Sequence, residues 1–350
     1  MSRSVVKCRS MASRTGFLDA LGGEAGCRRL SAEFYARVGK DEILRPLFPG
    51  KSLRCATEEF GAFLIQFLGG DEEQTQHRWW LSLRESHARF KIGPNERGAW
   101  LRHMAATIEA APLNAETRAA LRQFFQSSSA YVVGLQGAEP EHEELASRWA
   151  EQQILDRAIL AIATGLDQEA LALAGQFAPR PSVFVGLLAR MMQSRRPALI
   201  RFVVDAVETD PSLALHRFTE RTLLHCASGA GCLQVVGLLL RLGTDPNLQG
   251  RGGHTPLYCV ANECASETGV EIVRALVQAG ADVNACGGVT RATALHMAAR
   301  RGHVGIADAL LDCGAAIEAQ DSKGVTPLQR AVNCRKDAVA RLLVERGAAS

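Results

Sequence analysis

No apolar run in this sequence approaches the roughly 20 residues that a helix needs to cross a bilayer. "VVGLLLRLG" is broken by Arg241 and "AILAIATGL" by small polar residues, so no membrane span is expected. An excess of either charge is missing too. Lys and Arg number 20 against 18 Asp and Glu over residues 1–150, and 20 against 19 over the rest. Neither half offers the basic platform that nucleic acid attracts, and nucleic acid is not an expected partner. The ten cysteines include no CxxC pair, their nearest spacings being Cys259 to Cys264 and Cys226 to Cys232. Scattered thiols of this kind argue against a zinc site and fit a reducing compartment. The chain is therefore expected in the cytoplasm, with its cysteines acting mostly as small buried hydrophobes. The opening stretch, "MSRSVVKCRSMASR", has four basic residues and no acidic one, but it lacks the apolar run of a secretory signal. It reads as a short disordered arm over residues 1–15.

What is present is enough apolar content for folded structure. With 47% hydrophobic residues over a length of 350, two domains with separate cores are expected. Self-similarity is the clearest signal. "TLLHCASGAG", "TPLYCVANEC", "TALHMAARRG" and "TPLQRAVNCR" open at Thr222, Thr255, Thr293 and Thr326, at offsets of 33, 38 and 33. Each is followed by a second apolar run ending at Gly243, Gly280, Gly314 or Gly347. The distance from Thr to Gly is 21, 25, 21 and 21 residues, so the second unit carries four extra residues around "ECASET".

These four segments resemble the ankyrin repeat, whose signature is T-P-L-H-x-A at a period of 33. The chemistry fits the letters. A threonine caps a short helix, proline suits its first turn, Leu and Ala pack it on the next repeat, and glycine ends the second helix in the left-handed conformation. His225 and His296 fall on the signature histidine, and the resemblance implies a structural hydrogen bond between neighbouring repeat turns. Cys226 and Cys259 hold equivalent places in adjacent repeats. Packed helices lie roughly 8 to 10 Å apart, more than the 4.4 to 6.8 Å that a disulfide spans, so they are expected to stay reduced. Residues 221–350 are read as four ankyrin repeats. Residues 152–220 are helical in pattern, "ILAIATGLDQEALALAGQ" and "LLARMMQSRRPALIRFVVDAVETDPSL" each reading as two short helices, and they are taken as degenerate terminal repeats with Met191 and Met192 as core filling. "LQGAEPEHEELASRW", with Pro140 and four glutamates, reads as a linker or connecting helix, taken as residues 136–151.

The first part of the chain differs. In "RESHARFKIGPNERGAWLRHM", Gly93 and Pro94 stop whatever helix precedes them, placing His87 near a helix end. A histidine there is open to four readings: a solvated polar residue, a cation set against the helix dipole, a catalytic base or a metal ligand. The residue by itself does not choose among them.

"FLDALGGEAGCRRLSAEFYARVGKDEILRPLFPG", "EEFGAFLIQFLGG", "RESHARFKIG" and "ERGAWLRHM", in this order, resemble a truncated haemoglobin, nearest to the group II type. The resemblance covers roughly residues 16–133, within a domain taken as 16–135. It implies an all-α, two-on-two helical globin and a haem b cofactor. On that likeness His87 matches the proximal iron ligand of an R-H-x-x-F-x-I motif that also contains Phe90. Its imidazole would coordinate iron through one nitrogen while the other is held by a hydrogen bond. Tyr35 matches a distal tyrosine and Trp100 a distal tryptophan, each a hydrogen-bond donor to a ligand. Phe48 matches an aromatic wedged against the haem, here without the hydroxyl of a tyrosine. Ala56 and Phe60 match positions facing the ligand; a small Ala56 implies an open gate and Phe60 a narrowed pocket. His77 and His103 lack such a motif and are expected at the surface, and Trp79 and Trp80 are expected only to pack.

The resemblances together imply an all-α protein that binds a diatomic gas (oxygen, nitric oxide or carbon monoxide) and docks an unidentified protein partner, as a gas sensor or adaptor. A haem enzyme, a nitric oxide dioxygenase or a peroxidase-like protein placed by its repeats, is the alternative, and a haem-free scaffold is a third. No reductase domain or flavin motif is visible, so turnover would draw on an external electron source.

Overall fold

A computed structural model describes residues 16–48, 50, 52–70, 82–88, 90–135, 137, 139–177, 181–218 and 220–349. The expected arm at 1–15, His77, Trp79 and Trp80 lie outside the described residues. The chain divides into two compact units, Met1–Gln153 and Ile154–Ser350.

The first unit is all helical among its described residues: α1 (Phe17–Ala20), α2 (Gly23–Val38), α3 (Arg54–Phe67), α4 (Leu83–His87), α5 (Pro94–Ala110), α6 (Ala115–Val132) and the start of α7 (Glu143–Thr164). Local chemistry sets several of these ends. Ser82 caps α4 by accepting from the Glu85 amide, Asn114 caps α6 by accepting from Thr117, and Pro94 opens α5, where its missing N–H costs nothing. The core runs through Leu30, Phe34, Ile65, Met104, Leu121 and Phe124.

Leu145 and Trp149 belong to that same core, at 0% and 2% exposure. The Trp149 ring stands edge-on to Phe124 and Tyr131, with centroids 5.8 and 5.2 Å away. The stretch expected to be a connection at 136–151 therefore contributes core side chains from Glu143 onward. Its glutamates mask a helix whose first turns send two large apolar side chains, Leu145 and Trp149, into the core.

The second unit begins with the rest of α7, then α8 (Asp167–Ala174), α9 (Pro181–Ser194) and α10 (Pro197–Thr209). Met191 and Met192 are fully buried. Four helix pairs follow: α11 (Leu223–Ala230) with α12 (Leu233–Arg241), α13 (Pro256–Glu263) with α14 (Gly269–Gln278), α15 (Ala294–Arg301) with α16 (Val304–Asp312), and α17 (Pro327–Asn333) with α18 (Asp337–Glu345). A two-residue antiparallel pairing of Arg217–Phe218 with Arg221–Thr222 precedes them, a small β feature in an otherwise helical chain. Gly243, Gly280, Gly314 and Gly347 all have φ between +81° and +97°, the left-handed conformation that glycine adopts most cheaply.

The repeats are tied by two polar ladders. His225 engages Thr222 through Nδ1 (2.8 Å to Oγ1) and the His254 carbonyl through Nε2 (3.1 Å); His296 does the same with Thr293 (2.9 Å) and the Val325 carbonyl (2.9 Å). At the turns between repeats, the Asn247 amide donates to the Gly280 carbonyl (2.8 Å) while its oxygen accepts from the Asp282 N–H (2.8 Å), and Asn284 repeats the pattern with Gly314 and Ala316. Cys226 and Cys259 are buried and unbridged.

Burial pushes the His225 imidazole down from 6.5 to about 4, and that of His296 in the same direction. A group held neutral in the fold but free to protonate when unfolded stabilises fully above its unfolded value, and this stability is lost as pH falls from about 6.5 toward 4. The repeat unit is thus expected to lose melting temperature over that window. His225→Gln should flatten the loss, since Gln329 already caps the fourth repeat by accepting from the Thr326 amide at 3.0 Å. A variant whose pH–melting curve overlays that of the parent would remove His225 as the cause.

Candidate functional site

A cavity of about 680 Å³ opens inside the first unit, in the usual range for ligand sites. His87, Tyr35, Phe48, Ala56, Phe60, Phe90 and Trp100 all line it. Four helices and a corner deliver them: Tyr35 from α2, Ala56 and Phe60 from α3, His87 from the end of α4, Trp100 from α5, and Phe48 from the turn after the short 3₁₀ segment Arg45–Leu47. The rings form a continuous wall. Phe90 sits 6.5 Å from His87 and 5.6 Å from Phe48, Phe48 lies 5.8 Å from Tyr35, and Phe60 lies 6.2 Å from Tyr35 and 6.5 Å from Trp100.

His87 is the last residue of α4, so the helix stops well before Gly93 and Pro94. Its Nδ1 lies 2.8 Å from the Leu83 carbonyl and 2.9 Å from the Ser86 hydroxyl, whose Oγ donates to that same carbonyl at 2.7 Å. A carbonyl only accepts, so Nδ1 carries a proton, and in the neutral ring that leaves the lone pair on Nε2. This is the arrangement in which an outer hydrogen bond orients a ligating imidazole. Ser86 stands where the resembling motif has arginine. Its contribution to holding the ring was not read from the sequence, although its adjacency to His87 was the available signal.

Two residues with a single side-chain donor, Tyr35 and Trp100, line the cavity, and neither the Tyr35 hydroxyl nor the Trp100 indole N–H donates to another side chain or carbonyl among the described residues. Burial first, and the charge of Glu59 second, push the Tyr35 phenol well above its ordinary range, so it remains a protonated donor. Trp100 is seated against Phe34 and Phe125, at 5.2 and 5.5 Å. Phe34, Phe63 and Phe125 also line the site and were missed in the sequence, where helical phenylalanines look like ordinary core. His103 turns away from the cavity and pairs with Asp41 through Nε2 at 2.7 Å, half-buried rather than at the surface. The Asp41 carboxylate also accepts from the Ile43 and Leu44 amides and is held below the usual carboxylate range, mainly by His103.

The donor set can be tested against the implied cofactor. Among the described residues no cluster of three His, Cys, Asp or Glu side chains is built to hold a bare metal ion. One imidazole with a fixed tautomer, aromatic walls and two donors suit a flat apolar macrocycle that brings most of its metal's ligands itself. The residues fit haem.

Among the described residues no helix is long and apolar enough to cross a membrane. The family model for bacterial-like globins matches residues 16–132, and that for ankyrin repeats (3 copies) matches residues 189–286 and 261–349. Among curated proteins the chain is similar to an ankyrin repeat and KH domain-containing protein, mask-1, of Caenorhabditis elegans, with 37% identity over 37% of this chain and 5% of that protein. It is also similar to a putative E3 ubiquitin-protein ligase, XBAT31, of Arabidopsis thaliana, with 29% identity over 40% of this chain and 33% of that protein. A third relative is the mask protein of Drosophila melanogaster, with 38% identity over 31% of this chain and 3% of that protein. The chain thus spans a third or less of the length of these relatives.

Proposed function

From a chain that carries a bacterial-like globin domain followed by ankyrin repeats, we infer a haem protein that binds a diatomic gas in its globin and presents its repeats to a protein partner, as a gas sensor or adaptor. The observation that carries this reading is the His87 ring, fixed by Leu83 and Ser86 at the wall of the same cavity that holds the Tyr35 and Trp100 donors. Haem, when bound, supplies an iron with a position for oxygen, nitric oxide or carbon monoxide. His87 would hold it from one side, Phe48, Phe60 and Phe90 would flank the macrocycle and exclude water, and Tyr35 and Trp100 would donate to the polarised ligand. Ala56, small and on α3, leaves room for ligand entry. The haem-enzyme alternative uses the same residues, and none of them favours it.

Purified chain given haemin is expected to take up colour stoichiometrically and, once reduced, to bind oxygen. Trp100→Phe keeps a ring against Phe34 and Phe125 but removes the N–H, and Tyr35→Phe removes only the hydroxyl. Each is expected to speed oxygen release by roughly ten- to a hundredfold, corresponding to about 1.5 to 3 kcal/mol for a hydrogen bond to a charged group. The two effects should not add, because both donors serve one small ligand. Stopped-flow release rates unchanged in both variants would remove the donors from the reading, and a preparation that stays colourless with haemin would remove haem itself.

A further inference from the structure

The histidine ladder of the repeats is broken at one place. The signature position holds His225, Tyr258, His296 and Gln329 in successive repeats. The two histidines reach the following turn, and Gln329 still caps its own helix, but a phenol does neither. Tyr258 instead lies flat on the His254 ring, centroids 3.9 Å apart with 4° between planes, and both side chains remain partly exposed.

Charge gathers beside this stacked pair. Burial raises the Tyr258 phenol, and Arg300, then more weakly Arg301, pull against it from the next repeat. Both arginines are exposed, and Arg301 donates through Nε to Asn262, a neutral partner, at 3.0 Å. One repeat further on, the stem of Lys336 lies over Gly302, and Arg335 is exposed beside it. Among the described residues Arg300, Arg301, Arg335 and Lys336 have no carboxylate partner. Three other arginines of the repeats are matched, Arg221 with Glu263, Arg330 with Asp321, and Arg346 with Asp308 and Asp312. What distinguishes Arg300, Arg301, Arg335 and Lys336 is that they come in two adjacent pairs on neighbouring repeats, with Lys336 lying over Gly302. No Asp or Glu occurs between residues 283 and 307, and Glu263, the nearest carboxylate on α13, is occupied by Arg221.

We propose that the surface formed by Tyr258, His254, Arg300 and Arg301, continued by Arg335 and Lys336, docks an acidic peptide segment of a protein partner. The proposal rests on the reading of the repeats as a docking module. Carboxylates of the partner meet bidentate guanidinium donors, while an apolar or aromatic side chain lies on the Tyr258–His254 face. Four unmatched cations along one edge also steer an acidic segment toward it.

The test sorts a displayed library of random 12-residue peptides on the full chain. Peptides enriched in Asp and Glu are expected, binding roughly tenfold or more weakly to R300E/R301E and less weakly to R300Q/R301Q, with each variant keeping the parental melting curve. Tyr258→Ala should lower affinity without changing the acidic preference. Bound peptides without acidic enrichment, or acidic peptides that bind R300E/R301E as tightly as the parent, overturn the proposal while leaving the docking reading intact. A single-stranded RNA 12-mer that outcompetes the selected peptides overturns it as well, and a library from which nothing binds at any charge overturns the docking reading itself.

Discussion

His87→Ala, mixed with haemin and passed through a desalting column, is expected to lose most of its colour, and whatever haem it keeps should change spectrum on addition of free imidazole. The expectation follows from how the cavity is furnished. His87 is the only histidine among the described residues that line it. His103 is committed to Asp41, and His225 and His296 belong to the repeat ladder of the other unit. Among the described residues no other imidazole stands ready to replace the ring, while the aromatic walls that would bury the macrocycle stay in place. Ser86→Ala should act in the same sense but more weakly, because the Leu83 carbonyl still orients Nδ1; a tenfold to hundredfold loss of affinity is the usual range for such outer partners. An alanine variant with the parental visible spectrum would refute iron ligation by His87.

Trp149→Ala is expected to destabilise the first unit by about 3 to 5 kcal/mol, the usual range for removing a large buried aromatic from a core. Trp149 fills the space between Phe124 and Tyr131, and one helical turn earlier Leu145 is fully enclosed. Glu144, on the same turn, accepts from the Phe17 amide at 2.9 Å and so ties the start of α1 to α7. A chain ending at residue 140 removes all three contacts and should fail to give a cooperative thermal transition by circular dichroism, whereas one ending at residue 153 should give one. Cooperative melting of the shorter chain near the temperature of the longer one would show that α7 is dispensable.

The repeats were legible in the sequence because their signature is local. Threonine caps, the glycines at Gly243, Gly280, Gly314 and Gly347, and the positions of His225 and His296 depend on interactions within one repeat or with the next, so a fixed spacing in sequence becomes a fixed contact in space. The globin residues were legible for a different reason: a resemblance carried by motifs in order. Nothing local to Tyr35 or Phe60 distinguishes either from core aromatics. The part of α7 in the first core was not legible, because a helix with glutamates at its start and only two large apolar residues in its first turns reads as a linker or connecting helix until its partners are known.

By itself, then, the sequence determined the helical class, the spacing of the threonine-to-glycine units that mark the repeats, and the absence of a membrane-length apolar run, since each follows from periodicity, capping chemistry or composition. Only the tertiary structure decided that seven residues spread from Tyr35 to Trp100 line one cavity, that the His87 proton lies on Nδ1, that Tyr258 leaves the histidine ladder to stack on His254, and that Trp149 completes the first core. The physical reason is range. Caps and turns act over three or four residues, whereas a cavity wall, a tautomer set by an outer partner and a shared core depend on side chains that only the packed chain brings together.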